Sequence, residues 1–287
     1  MSVLTDPLVQ RMMLVAIMVG VTAPIVGTYL VHRRMALLGD GIGHVALAGV
    51  AAGWLAGSWA GLADQDALAI PGAIVFAIAG AVVIERMRAR GIAAADVIMA
   101  VMFYGGIASG VLLISAAGGS NANLMGYLFG SISTVSWNDV WVTVILSIAI
   151  LAIGLGLRRS LFAVTHDQEF AHSTGLPVNA LNMVVAVLAA VTITASMRVV
   201  GVLLVSGLMI LPVAISQMVT GSFNRTMNIA MVIGVVLCVS GVGITLFYNL
   251  QPGALIVVLG VLLYVVVASG ASLRHRARQR REKVETA

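Results

Sequence analysis

Of the 287 residues, 60% are hydrophobic and only 9% charged, with a mean hydropathy of +1.07. That is too apolar for a soluble domain, whose surface keeps roughly a quarter of its residues charged, so lipid is the implied solvent. The formal net charge is +5, and the single lysine, Lys283, lies in the C-terminal tail. No Gly-rich turn followed by Lys-Ser/Thr exists to cradle a nucleotide phosphate, which excludes ATP hydrolysis by this chain itself. Cys238 has no second cysteine to pair with and reads as a buried, inert thiol.

A spanning helix needs about 20 mostly apolar residues. Cutting the chain at charges and at Gly/Asn/Ser clusters predicts nine: 12–31, 36–59, 68–84, 92–116, 140–157, 180–197, 200–219, 227–247 and 254–270. The first is long and runs through Tyr29 to Val31, as a retained spanning helix does and a cleaved signal does not. The second carries Gly39 and Gly43, then Gly49, Gly53, Gly57 and Gly61 at four-residue spacing. Such a face lets backbones approach closely, within the subunit or at a dimer seam. Between the fourth and fifth, the stretch 117–139 holds Asn121, Asn123 and a short apolar run, Leu124–Gly130, that predicts a surface or re-entrant helix. The segment 158–178, RRSLFAVTHDQEFAHSTGLPV, is the most polar internal stretch and predicts a short helix with cytosolic contacts, its His166 and His172 in solvent. Only Arg198 and its neighbours separate the sixth and seventh segments.

Orientation follows from the basic residues. Arg33/Arg34, Arg86/Arg88/Arg90, Arg158/Arg159, Arg225 and the tail fall on alternate loops, which are then cytoplasmic; Arg11 and Arg198 lie elsewhere. The N-terminus is outside and the C-terminus inside. The expected architecture is an all-α polytopic bundle over 1–270 with a basic cytoplasmic tail, 271–287, that anchors to anionic lipid rather than nucleic acid.

Ionisable groups in hydrocarbon need a partner or a cargo. Asp40 and His44 stand four apart on one predicted helix, so their side chains share a face. Counted from Arg34 at ~1.5 Å per residue, Asp40 lies about 9 Å deep and His44 about 15 Å, near the midplane of a ~30 Å core. A carboxylate and an imidazole suit zinc, manganese or ferrous iron rather than cuprous copper. One copy supplies two ligands; two copies meeting at this helix would supply four. A structural pair or a proton relay uses the same residues. Asp96, about 9 Å deep by the same count, pairs with Arg34 or Arg90 or stands behind the metal. Arg198 snorkels outward or closes a helix break.

RRMALLGDGIGHVALAGVAAG resembles the second-helix region of the zinc/manganese/iron class of ABC transporter permeases. LMGYLFGSISTVSWNDV is similar to that family's outer loop, TGLPVNALNMVVAVLAAVTITASMRVVGVLLVSGLMILPVAIS to its late helices, and LFYNLQPGALIVVL to its penultimate turn. GD-x3-H and RVVGVLLV are the most specific. Where many relatives show Ser-His before Pro-Gly, this chain has Gly43-His44 and Ala48-Gly49. The resemblance implies a multi-pass permease of a prokaryotic plasma membrane, working as a homodimer with cytosolic ATP-binding subunits and an extracytoplasmic metal-binding protein. It implies that Asp40 and His44 bind the transported ion, zinc first and manganese or iron as alternatives, with no permanently bound cofactor. Glu169, Ala171 and Gly175 reproduce the Glu-x-Ala-x3-Gly spacing of the loop that docks on the ATPase, with Phe170 at the usually small middle position and a helix ending at Gly175. An ion-coupled secondary transporter would show internal repeats and an intramembrane zinc hydrolase H-E-x-x-H; the sequence shows neither.

Overall fold

The computed structural model describes residues 6–61, 65–116, 121–130, 136–248 and 250–285. These form helices and no strand: α1 Pro7–His32, α2 Leu38–Trp59, a 3-10 turn Gln65–Leu68, α3 Ala69–Ala89, α4 Ala95–Ala116, α5 Asn121–Phe129, α6 Trp137–Gly156, α7 Arg158–His166, α8 Gln168–Ser173, α9 Val178–Ser196, α10 Val202–Val219, α11 Phe223–Thr245 and α12 Pro252–Glu285. Each of the nine predicted spans overlaps one of these helices. Eight are long and apolar enough to cross a membrane by length and composition, and the ninth, α10, holds a shorter apolar stretch, Val202–Gln217.

Local chemistry sets the helix starts. Asp6 caps α1 by accepting from the Leu8 N–H at 2.9 Å, with Pro7 in the first turn, where its missing N–H costs nothing. Ser136 and Asp139 cap α6 reciprocally. Inside the helices Thr28, Thr192 and Ser196 donate to their own i−4 carbonyls, so buried hydroxyls need no distant acceptor.

The interior is α1 and α2, most of whose residues are buried, whereas α12 is largely exposed and turns Val258, Leu262 and Val266 outward. Outward apolar side chains are stable only against lipid or another apolar surface. Around the interior, α1 packs on α11, α10, α6 and α9, and α2 on α4, α3, α10 and α9. The α2 glycines serve these contacts. A Cβ on Gly49 would stand 2.4 Å from the Gly72 carbonyl oxygen of α3, and one on Gly53 2.1 Å from that of Leu68. Gly39 and Gly43 lie against Ser206 and Val202 of α10. Gly39, Gly43, Gly49 and Gly53 of the stripe are therefore used for packing within the chain, whereas Gly61 meets nothing within 4 Å.

Between α9 and α10 the chain breaks at Met197–Gly201, and α5 is locked into the break. Gly201 has φ 84°, and a Cβ there would meet the Leu128 carbonyl at 2.4 Å; Gly130, φ 80°, lies as tightly on Val199. Both positions need the missing side chain for conformation and for clearance. At the other end α12 runs for 34 residues, Pro252–Glu285, its apolar part ending at Ser272 and its basic part following.

Candidate functional site

Asp40 lies in the first turn of α2, half-buried, and His44 one turn on, 5% exposed. The connection before them is tight: Arg34 adopts φ 57°, and the Met35 and Leu38 N–H groups donate to Leu30 and Met35 carbonyls at 2.9 and 3.1 Å. Successive helical residues turn by about 100°. Gly39 and Gly43 face α10, and Gly41 faces Met99 and Met102 of α4. Asp40 and His44 therefore share the sector of α2 between α10 and α4.

His44 is held from the α4 side. Phe103 meets its ring edge-on at 4.3 Å between centroids. Gly106 brings the α4 backbone against it, since a Cβ there would stand 2.7 Å from the His44 carbonyl carbon. The imidazole Nδ1 is buried and has no hydrogen-bond partner among the described residues. An orphaned ring nitrogen beside a carboxylate suits a cation or a proton, because leaving it unsatisfied costs about 1–3 kcal/mol. Among the described residues no group of three or more His, Cys, Asp or Glu converges, so Asp40 and His44 stand here as a pair.

Asp96 does not form the expected ion pair. It is exposed in the first turn of α4, one turn before Met99, and no ion pair joins it to Arg34 or Arg90 among the described residues. The reason is geometric: Arg34 is turned out to solvent at its left-handed φ, and Arg90 is exposed at the C-cap of α3.

Arg198 closes the helix break. Its Nη2 donates to Asp66 at 2.7 Å, its Nε lies 3.5 Å from Asp139, and its guanidinium stacks 4.8 Å from the Tyr127 ring centroid. Asp66 also accepts from Trp54 Nε1 at 3.0 Å and from the Tyr127 hydroxyl. Burial alone would lower the Arg198 pKa, but Tyr127, Asp139 and Asp66 outweigh it and hold the guanidinium above its ordinary range. Burial pushes the Tyr127 hydroxyl well above the usual tyrosine range, with Arg198 opposing. Five elements thus meet at the outer end of the bundle. Sequence reasoning found only Arg198; a buried arginine calls for carboxylates, and Asp66 and Asp139 stand at the outer ends of α3 and α6.

On the cytoplasmic side the polar segment forms two helices rather than one. Asp167 separates them and caps α8 by accepting from the Phe170 N–H at 2.9 Å. Ala171 is fully buried, Glu169 is exposed, and Phe170 is 61% exposed. The helix ends at Ser173, two residues earlier than expected. Gly175, φ 81°, donates to the His172 carbonyl at 3.0 Å, and Leu176 to that of Ala171 at 3.1 Å. That is a left-handed glycine terminating a helix, with Pro177 beyond. His166 and His172 are exposed, His166 stacked on Phe162 at 5.6 Å between centroids.

Known proteins resemble this chain along most of its length. The model of the ABC 3 transport family matches residues 5–270. The chain belongs to that family. It is thus a multi-pass membrane transport subunit of the bacterial plasma membrane. Family relatives include the manganese transport system membrane protein MntC of Halalkalibacterium halodurans, 28% identical over 90% of this chain and 85% of that one. The chelated iron transport system membrane protein YfeD of Yersinia pestis is 31% identical over 91% and 84%. Among solved structures, PsaBC from Streptococcus pneumoniae in complex with Fab superposes with a TM-score of 0.79 at 28% identity, covering 92% of each chain. An inward-facing structure of a metal-chelate type ABC transporter gives 0.68 at 16% identity over 91% and 85%, a likeness of fold.

Proposed function

We propose that this chain is the permease of an ABC importer that carries a divalent transition metal into the cytoplasm. It works as a homodimer, is driven by separate cytosolic ATPase subunits and receives the ion from an extracytoplasmic metal-binding protein. The observation that carries the reading is the Asp40–His44 pair on one sector of α2, with the His44 Nδ1 buried and unbonded. A cation held there gains the Asp40 carboxylate and a neutral imidazole nitrogen. Asp96, in the first turn of α4, serves the ion in this reading from behind that pair or in passing. The donor set serves zinc, manganese and iron alike. The relatives' names give manganese and chelated iron, so manganese or ferrous iron joins zinc as the cargo the assay must separate. In this reading α8 and the turn after it, with Glu169, Ala171 and Gly175, meet the ATPase, and the buried Ala171 ties that contact to the core.

Uptake of radiolabelled manganese and zinc by the complex reconstituted with its ATPase tests the assignment. Asp40→Asn and His44→Ala are expected to abolish uptake with expression and assembly intact. Near wild-type uptake by either variant overturns the site. Uptake without the ATPase would instead assign the chain to secondary transport.

A further inference from the structure

One hydroxyl in the helix beside the ion site behaves unlike the others. Ser206 of α10 is 7% exposed, yet it forms no hydrogen bond among the described residues. The buried hydroxyls of Thr28, Thr192, Ser196 and Ser216 each donate to a carbonyl of their own helix at 2.7–2.9 Å. Ser206 has the same kind of carbonyl one turn back and leaves it alone. Nor is its oxygen sealed in, for it is not among the buried unbonded atoms, as Ser147 Oγ is.

Its place is specific. The helices α2 and α10 run antiparallel here, Val202 lying against Gly43 and Ser206 against Gly39, four residues on along each. The Ser206 Cβ is 3.4 Å from where a Cβ on Gly39 would stand, and Gly39 precedes Asp40. Because Gly39 has no side chain, α2 puts no Cβ against Ser206 there, and Met209 Sδ of α10 stands 3.9 Å from the same point.

We infer that Ser206 Oγ is a third donor to the transported ion, a neutral oxygen that acts together with the Asp40 carboxylate and the His44 imidazole. The inference rests on the proposed metal path and adds a residue to it. A hydroxyl is a hard donor without charge, so it helps to strip water from the ion without deepening the site electrostatically. Replacing it with a thiol of similar size should change which metal is preferred, because thiolate sulfur favours soft ions. A serine that only fills space has no such signature.

The test uses the full transporter, with its ATPase and binding protein, in proteoliposomes. Manganese uptake is measured with cadmium as competitor for wild type and for Ser206→Ala, Ser206→Cys and Ser206→Thr. Ser206→Ala should raise the KM for manganese about tenfold, the usual scale for loss of a group that supports a metal. Ser206→Cys should make cadmium about ten times more effective as a competitor, and Ser206→Thr should stay near wild type. Unchanged KM and unchanged cadmium competition in the alanine and cysteine variants overturn the inference. So does an equal loss of uptake in all three variants with a lowered Tm, which marks Ser206 as packing alone. If wild type moves no divalent ion, it is the metal-path reading that fails, and the inference with it.

Discussion

Arg198 donates to Asp66 at 2.7 Å although 132 residues separate them in sequence. The pair joins the α9–α10 break to the start of α3, and through Trp54 and Tyr127 it reaches α2 and α5. Arg198 is 12% exposed and Asp66 40% by side chain, so the pair is only partly withdrawn from water. Breaking a buried pair costs about 3–5 kcal/mol, and screening at Asp66 reduces this to about 2–3 kcal/mol for Arg198→Ala.

Thermal unfolding in detergent should show Arg198→Ala several degrees below wild type. Arg198→Lys should recover only part of the loss, because an ammonium cannot hold Asp66 and Asp139 together while stacking on Tyr127. A double-mutant cycle with Asp66→Asn should return a coupling energy well above zero; additive losses would show that the contact contributes nothing.

Some of this was legible beforehand and some was not. The nine spans followed from runs of apolar residues because lipid demands them, and Asp40 and His44 followed because charges in such runs are rare. Helix boundaries near Leu38, Ala95 and Val202 fell within three residues of expectation. Asp66 and Asp139 were hidden, since each lies at a helix end where a carboxylate is ordinary, and only tertiary folding brings them to Arg198. The glycine stripe was visible, but periodicity cannot tell whether α3, α10 or a second subunit fills it. The split at Asp167 was missed because a capping aspartate inside a polar segment looks like any exposed acid. Asp96 was placed by depth alone, and depth does not say which way a side chain faces.

The α4 helix positions His44 by backbone contact, and Gly106 is the contact. With a Cβ only 2.7 Å from the His44 carbonyl carbon, Gly106→Ala must push the helices apart by several tenths of an ångström, and Gly106→Val by more. Metal uptake should fall in the order wild type, alanine, valine, while association with the ATPase is unchanged. Gly105, next to it, would meet nothing within 4 Å, so Gly105→Ala is the matched control and should transport normally. Equal effects at both positions would show that the contact with His44 is irrelevant.

Topology is open to labelling. Gln251 and Gln168 are both exposed and lie at opposite ends of the bundle. A cysteine at 251 should react with an impermeant maleimide in intact cells, and one at 168 only after permeabilisation. The side chain of Asn121, a third natural position for an outer label, lies outside the described residues. Native Cys238 is buried and should stay silent, which leaves the introduced thiols as the signal. Reaction on the opposite sides would invert the orientation and move the α7–α8 segment out of reach of any cytosolic ATPase.

The α7–α8 segment offers the sharpest test of coupling. On α8 the exposed Glu169 and Phe170 precede Ala171, which is fully buried in the core that α9 also enters. A force applied to the exposed pair therefore passes into the bundle through Ala171 rather than dissipating in a loop. Phe170→Ala removes an exposed ring without disturbing the fold, and Glu169→Lys reverses a charge in the first turn of α8. Both should weaken co-purification of the ATPase and reduce metal-stimulated hydrolysis, with Tm unchanged. Gly175 works differently: a Cβ there meets nothing within 4 Å, so Gly175→Ala costs only the left-handed backbone, about 1–2 kcal/mol, spent on fraying the end of α8. Its ATPase should still bind but turn over with less metal delivered per ATP. Metal binding at Asp40 and His44 should survive in all three variants, because neither residue is touched. If the ATPase associates and couples fully with Phe170→Ala and Glu169→Lys, α8 is not the contact, and the force must enter the bundle elsewhere on its cytoplasmic face.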